Sequence, residues 1–595
     1  MVPSAVSTRK TRPAAPPKAK ARWNVPSTPS DSELREFACA VGNGLPAARV
    51  LWNRNLRDVS EARAFLNPTI GLLHDPMLML GMERATERLM RAIANREKIL
   101  IYGDYDVDGT SSIVILKKAI ELAGGEAGYH VPHRLREGYG MRPEVLSEAS
   151  ARGVTLVISV DTGIRAAEIV RAAAALGLDM IITDHHLPDT DVPPAVAVLN
   201  PNQPGCDYPE KNLCGAGVTF KLIQSLFARL DWPEAKSRKL LESFLKLVAI
   251  ATVADVVSLT GENRVIVKTG LDGLGDVRNI GLRALLDVAG FNHGKSPSAG
   301  QVAFRIAPRI NAAGRMANAS DVIELFLTGD ANRARDLATQ LHELNAERQQ
   351  TEADIVQAIL DECGEFPVDE GQFALVFSRP GWHRGVIGIV ASRIVERYNR
   401  PVFVLGEENG IAQGSGRSIR AFHLLDALES MPGLFHKFGG HRQAAGLTMD
   451  AAMVDEFREK LNAHATSRLT RDQLRPVLEI DAEVTLDELD DETVRGIFGL
   501  APFGFGNPSP LFLLKDAEVA GPPDLVKEKH LRIRVKHKGR FLKAMAFDFA
   551  ERIDEVAPGN RIDLAISIEE DEYSASRGYQ WWSARVKDVR PAAIL

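Results

Sequence analysis

Three short apolar runs in this 595-residue chain each stop on an acid or an imidazole, and that pattern constrains the fold more than any other feature. Ile99-Leu100-Ile101-Tyr102 is followed by Asp104-Tyr105-Asp106-Val107-Asp108. Thr155-Leu156-Val157-Ile158-Ser159-Val160 ends in Asp161, and Met180-Ile181-Ile182 ends in Asp184-His185-His186. Short continuous apolar runs of this kind read as strands buried on both faces. Between the second and third lies an Ala-rich stretch over 163–176 with Ile164, Ile169 and Val170, the pattern of a crossover helix. Strand, helix, strand implies a parallel sheet, and parallel strands present their carboxyl ends on one edge, where ligands of open α/β sheets bind. The three polar clusters are therefore expected to converge in space.

Three carboxylates within five residues repel one another and raise one another's pKa unless a cation lies among them. Hard divalent ions take oxygen ligands, and manganese tolerates imidazole more readily than magnesium does. An Asx-rich turn with solvated acids is the plain alternative for one such motif. Recurrence at three strand ends favours metal. No GxxxxGK[ST] phosphate loop occurs, which argues against ATP hydrolysis.

The motifs Gly103-Asp104-Tyr105-Asp106-Val107-Asp108-Gly109, Val160-Asp161-Thr162-Gly163 and Asp184-His185-His186 resemble the signatures of the DHH phosphoesterase superfamily. The resemblance is strongest to its single-strand-specific DNA exonucleases. Arg134-Leu135-Arg136-Glu137-Gly138-Tyr139-Gly140, Val253-Ala254-Asp255-Val256-Val257, Arg309-Ile310-Asn311-Ala312-Ala313-Gly314-Arg315 and Gly381-Trp382-His383-Arg384-Gly385 extend it. So do Gly414-Ser415-Gly416-Arg417-Ser418, Phe438-Gly439-Gly440-His441 and Pro502-Phe503-Gly504-Phe505-Gly506-Asn507-Pro508, covering roughly 45–590.

That resemblance places two ions, Mn2+ or Mg2+, on Asp104, Asp106, Asp108, Asp161, His185 and Asp255, with Asp161 as the expected bridge. Neighbouring residues at a strand end point different ways, so His185 is assigned to metal and His186 to a substrate phosphate oxygen. Catalysis is thereby assigned to Asp106, Asp108, Asp161, His185, His186 and Asp255. The resemblance further implies that Arg417 and Arg134 contact a terminal phosphate, that the chain is cut from its 5′ end, and that Arg309 contacts substrate. Gly414-Ser415-Gly416-Arg417 reads as a glycine-rich turn able to form an anion nest. His383, Gly440 and His441 either line the same cleft or close a small α/β module.

The domains expected are a disordered basic tail over 1–30, N-terminal helices and a parallel-sheet DHH-type catalytic domain over 31–329, and a long linking helix over 330–366. A smaller α/β DHH-associated domain follows over 367–466, then a β-rich OB-like domain over 472–595. The linking helix is read from 331–363, which holds no Pro or Gly and spaces Leu337, Leu341 and Leu344 helically. In the last domain Leu531-Arg532-Ile533-Arg534-Val535-Lys536 alternates, setting Arg532, Arg534 and Lys536 on one face. Nearby aromatics suit a surface that tracks single strands and stacks bases. They could equally be core, more so Phe547 than the Trp581-Trp582 pair, since adjacent strand residues cannot both face inward.

A formal net charge of −6 gives no nucleic-acid signal by itself, and four scattered cysteines argue against a disulfide framework. No apolar run reaches a membrane span, and no signal-peptide core is evident, so a cytoplasmic location is expected; a monomer is expected as well. The expected activity is metal-dependent 5′-to-3′ hydrolysis of single-stranded DNA to mononucleotides in repair and recombination, with single-strand-binding protein and a helicase as expected partners. The alternatives are a phosphoesterase of oligoribonucleotides or small nucleotides, and a non-enzymatic DNA-binding scaffold.

Overall fold

The computed structural model describes residues 21–592 apart from 28, 135, 139, 366, 367 and 370. Its five-stranded catalytic sheet is parallel throughout: β1 (Lys98–Gly103), β2 (Ala127–His130), β3 (Val154–Val160), β4 (Asp179–Thr183) and β5 (Ala197–Leu199), in the order β2-β1-β3-β4-β5. Side-chain alternation splits the apolar runs between two faces. Ile101, Ile158 and Ile181 enter one core with helices α1 (Val107–Leu122), α3 (Gly215–Ala228) and α4 (Glu234–Ala254). Tyr102, Val157 and Ile182 enter another beneath the helices Pro143–Ala151 and α2 (Ala167–Ala175). Ile158 is fully buried, and truncating such a residue to alanine costs about 2–5 kcal/mol.

Register decides where the site falls. Gly103 pairs with Val160, Val160 with Thr183 and Thr183 with Leu199, so one cross-strand row ends four strands together. The next residue on each is polar: Asp104, Asp161, Asp184 and Asn200.

The helix expected over 330–366 is α5 (Ala331–Glu365). The residues after Asn345 and through Ile480, with the strand Arg22–Asn24, form a compact unit of their own. Its sheet contains β6 (Leu375–Pro380), β7 (Val402–Glu408), β8 (Ile411–Arg417), β9 (Lys437–Gly440) and β10 (Ala444–Asp450), ordered β9-β10-β8-β7-β6, with α6 (Ile387–Tyr398) packed on it. Most of the tail expected to be disordered, residues 1–20 and 28, lies outside the described residues. Arg22–Asn24 departs from that expectation: it pairs in parallel with Val477–Glu479, and Arg22 and Asn24 bond to Asp472 and Glu479.

The last module belongs to the same compact unit as the catalytic sheet. Its strands are β11 (Ala482–Glu483), β12 (Phe512–Val519), β13 (Asp524–Val526), β14 (His530–His537), β15 (Arg540–Ala546), β16 (Arg561–Glu570) and β17 (Trp582–Pro591). They run β11-β12-β16-β17-β15-β14-β13, and Val519 of β12 pairs back with Val535 of β14, closing a barrel. Arg54 fastens it to the N-terminal helices through Asp481 (2.8 Å) and the Pro508 carbonyl (2.8 Å).

Candidate metal centre

The turn after β1 is built to concentrate charge. Asp106 caps α1, its Oδ1 accepting the N–H groups of Asp108 (2.9 Å) and Gly109 (3.0 Å). A Cβ on Gly109 would lie 2.4 Å from the Asp104 carbonyl oxygen, so only glycine lets the chain enter the helix this tightly. Asp108 turns to α3, where Gly215 N–H donates to Oδ2 (2.6 Å) and Ala216 N–H to Oδ1 (2.7 Å), using two N–H groups a helix leaves free at its start. Asn311 Oδ1 accepts the Val107 N–H at 3.2 Å.

Asp161 leaves β3 in the left-handed region, φ 58°, a conformation uncommon for residues other than glycine. His185 Nε2 stands 3.2 Å from Asp161 Oδ1, 3.7 Å from Asp255 Oδ2 and 3.8 Å from Asp108 Oδ2. Asp255 follows the end of α4.

Ligand atoms of Asp104, Asp106 and Asp161 lie within 4.8 Å of one another, as do those of Asp108, His185 and Asp255, and those of Asp161, His185 and His186. All six expected ligands are thus brought together, with Asp161 common to two groups. Burial, and then Asp106, pushes Asp104 well above the ordinary carboxylate range. Burial, and then Asp108, Asp106, Asp104 and Asp255, does the same to Asp161; Asp255 is pushed up to about 9 by burial and by Asp108 and Asp106. Burial also raises Asp108 and lowers His185, keeping that imidazole neutral and able to ligate. Asp104 Oδ1 and Asp255 Oδ2 are buried without a hydrogen bond. Repelling oxygens with open lone pairs and one neutral imidazole fit hard divalent cations.

His185 and His186 do not diverge as strand-end geometry implies; their rings lie side by side, centroids 4.5 Å apart. Asp184, absent from the expected site, arranges them: Oδ1 accepts the His185 N–H (2.7 Å), the His186 N–H (3.1 Å) and His186 Nδ1 (2.7 Å), while Oδ2 accepts the Ile164 N–H (2.9 Å). Burial opposes charge on both partners, but their mutual bond outweighs it, holding Asp184 low and raising His186. Asn202 and Asn200 tie down the His185 and His186 carbonyls, at 2.9 Å each.

Of the expected substrate residues, Arg134 stands over the Tyr105 ring, 5.1 Å from its centroid, close enough to Asp104 to favour its charged form. Arg309 lies on the helix Ala307–Met316. Its guanidinium bonds to His342 Nδ1 (Nε, 3.2 Å) and to the Arg305 carbonyl; within its motif Asn311 and Gly314 are the residues that touch the carboxylate turn.

Within the separate unit, Gly414-Ser415-Gly416-Arg417 is strand β8 and not the expected turn. A Cβ on Gly414 would meet Leu405 at 2.7 Å and one on Gly416 would meet Phe403 at 2.5 Å, so these glycines serve packing and their backbone runs in the ladder. Arg417 Nη1 donates to Ser415 Oγ (3.0 Å). A Cβ on Gly388, in the first turn of α6, would lie 3.0 Å from Ser415 Oγ and 3.2 Å from Arg417 Nη2. His383 accepts the Gly385 N–H (3.2 Å) just ahead of that helix, and register sets Gly440 opposite Ala445 and Ala445 opposite Gly416, with His441 next to Gly440.

On the barrel, Leu531, Ile533 and Val535 are buried and Arg532, Arg534 and Lys536 exposed, as the alternation requires. Arg534 lies over Phe541 and Arg585 over Phe547. The ranking of the aromatics is reversed: Phe547, held more prone to be core than the Trp581-Trp582 pair, is 40% exposed, whereas Trp582 is buried and donates to Asp491 (3.2 Å). Trp581 packs at a tilt against Phe498, centroids 5.6 Å apart.

Comparison with known proteins agrees with this architecture. The DHH family, N-terminal domain, matches residues 98–252, the DHHA1 domain 371–467 and the RecJ OB domain 480–582. The single-stranded-DNA-specific exonuclease RecJ of Dickeya dadantii is 37% identical, covering 90% of this chain and 95% of that protein. That of Bacillus subtilis is 35% identical over 93% of this chain and 69% of its own length. The crystal structure of RecJ in complex with Mn2+ from Thermus thermophilus superposes with a TM-score of 0.82 at 31% identity, covering 97% of this chain and 80% of that one.

Proposed function

The chain belongs to the RecJ family of single-stranded-DNA-specific exonucleases, and from that premise we propose how its residues divide the work. It is a metal-dependent exonuclease of single-stranded DNA that acts in DNA repair. The observation that carries the assignment of residues is the meeting of Asp104, Asp106, Asp108, Asp161, His185 and Asp255 at one sheet edge.

Asp104, Asp106 and Asp161 would hold one Mn2+ or Mg2+ ion and Asp108, His185 and Asp255 a second, with Asp161 placed to serve both. When bound, such ions lower the pKa of water and offset charge building on the phosphate oxygens. The chain does the rest. The first turn of α3 orients Asp108, and Asp184 favours the protonated form of His186, which can then donate to a phosphate oxygen of the strand being cut. Ser415, Arg417 and the start of α6 recognise a terminal 5′ phosphate, which gives 5′-to-3′ polarity and release of mononucleotides. Arg532, Arg534 and Lys536 track the backbone of the strand beyond the site.

Among the described residues no helix is long and apolar enough to cross a membrane. We place the protein in the cytoplasm as a monomer, working where a helicase opens duplex and single-strand-binding protein coats the product. End-labelled single- and double-stranded DNA and RNA, incubated with and without Mn2+, test the reading. Mononucleotides should appear from the 5′ end of single-stranded DNA only with metal. Faster turnover of dinucleotides than of long strands would favour the small-nucleotide phosphoesterase.

A further inference from the structure

The loop over residues 501–508 holds a phenylalanine out into solvent and is seated on the segment that follows the metal-centre residue Asp255. Asn507 is buried and organises it: Nδ2 donates to the Leu500 carbonyl (2.9 Å) and the Pro502 carbonyl (2.8 Å), and Gly504 and Asn507 exchange backbone bonds (2.8 and 3.2 Å). On that segment Leu259 N–H donates to the Phe505 carbonyl (2.8 Å), a Cβ on Gly504 would meet Leu259 at 2.6 Å, and one on Gly506 would meet Ser258 Oγ at 2.0 Å. The backbone of the tip is thus immobilised from both sides.

Yet of its two phenylalanines, Phe503 is half-buried and Phe505 is not used in packing. Phe505 is 63% exposed. On the facing segment Val256, next to Asp255, is 61% exposed and sits at φ 60°, a conformation costly for a β-branched residue. Asp255 Oδ2 is 3.7 Å from His185 Nε2, so this segment is continuous with the metal centre.

We propose that Phe505 is a base-stacking platform for the nucleotides at the end being cut, with Val256 beside it as an apolar rim. The proposal rests on the exonuclease reading above and adds a nucleobase contact supplied by the barrel module. The physical case is preorganisation. Stacking on an aromatic side chain tolerates any base, which an enzyme degrading arbitrary sequence requires. An immobilised tip loses little conformational freedom on binding. Phosphate contacts alone fix the backbone, whereas a platform fixes how far the terminal nucleotides advance into the site.

The test uses the full-length protein and 5′-phosphorylated 12-nucleotide strands carrying 2-aminopurine at one position in turn, bound at saturating protein in EDTA so that nothing is cut. Fluorescence should be quenched at one of the first three positions in wild type, released in Phe505→Ala and Phe505→Leu, and restored in Phe505→Trp. The dissociation constant should rise roughly 5- to 100-fold in Phe505→Ala, the range of single base–aromatic stacks. Quenching that is the same in Phe505→Ala, or Phe505-dependent quenching only beyond the third position, overturns the platform while leaving the exonuclease reading intact. Failure of the wild type to degrade single strands with Mn2+ overturns that reading instead.

Discussion

The N–H of Gly215 donates to Oδ2 of Asp108 at 2.6 Å, joining the start of α3 to a carboxylate 107 residues earlier in the chain. The same glycine is hemmed in by Asp161, since a Cβ there would lie 2.7 Å from its Oδ1. Gly215→Ala should therefore disturb two proposed ligands without touching the sheet. We expect Mn2+ affinity to fall about 10- to 100-fold, as for other residues that support metal ligands, with the far-ultraviolet dichroism of the wild type. Titration calorimetry with Mn2+ checks this, and unchanged affinity would separate Gly215 from the centre.

Asp161→Ala removes the ligand shared between the proposed ion sites. Cleavage should fall at least about 100-fold even in excess Mn2+, while single-strand binding, measured in EDTA, stays near wild type because the cationic face is elsewhere. Near-normal turnover would sink the bridging assignment.

Removing metal should make stability depend on pH in a definite direction. Asp104, Asp161 and Asp108 are raised in the fold and Asp255 stands at about 9 against 3.8 for the free side chain. Groups raised on folding stabilise fully below their unfolded values, and that contribution is lost as pH rises through the folded ones. The metal-free protein should thus melt at progressively lower temperature from about pH 4 toward pH 9. Mn2+ should flatten the trend and raise the Tm most at the alkaline end. Melting curves across pH, with EDTA or Mn2+, decide it.

Much of this centre is legible in the sequence, because buried parallel strands announce themselves as apolar runs and their ends must align. Asp104, Asp106, Asp108, Asp161 and His185 follow from that logic. Asp255 does not, since it ends a helix and only the family motif marks it. Gly215, Ala216 and Asn311 were missed because backbone donors have no side-chain signature and their partners are distant in sequence. Asp184 stood in view next to His185, but nothing local says that its oxygens face inward onto four donors. Glycines at 414 and 416 suggested a turn because sequence does not reveal that Phe403 and Leu405 occupy the space of a Cβ. Whether Phe547 faces core or surface was open in the sequence, because nothing local says that the guanidinium of Arg585 lies over its ring.

We propose that the polarity of cleavage turns on Arg417. Its Nη1 bonds to Ser415 Oγ and to the Gly416 carbonyl (2.8 Å), and the first turn of α6 lies against both side chains, so a guanidinium, a hydroxyl and helix N–H groups share one place on this unit. That combination suits a phosphate dianion, because charge-assisted bonds are about twice as strong as neutral ones and a 5′ hydroxyl cannot replace them. Arg417→Ala should therefore reduce the preference for a 5′-phosphorylated over a 5′-hydroxyl strand by at least about tenfold, the order of one charged hydrogen bond. Blocking the 3′ end should leave the rates unchanged. One oligonucleotide in both 5′ states, assayed with both proteins, measures the ratio directly. If wild type and mutant show the same ratio, Arg417 has no part in reading the end, and polarity must come from how the strand enters the metal centre.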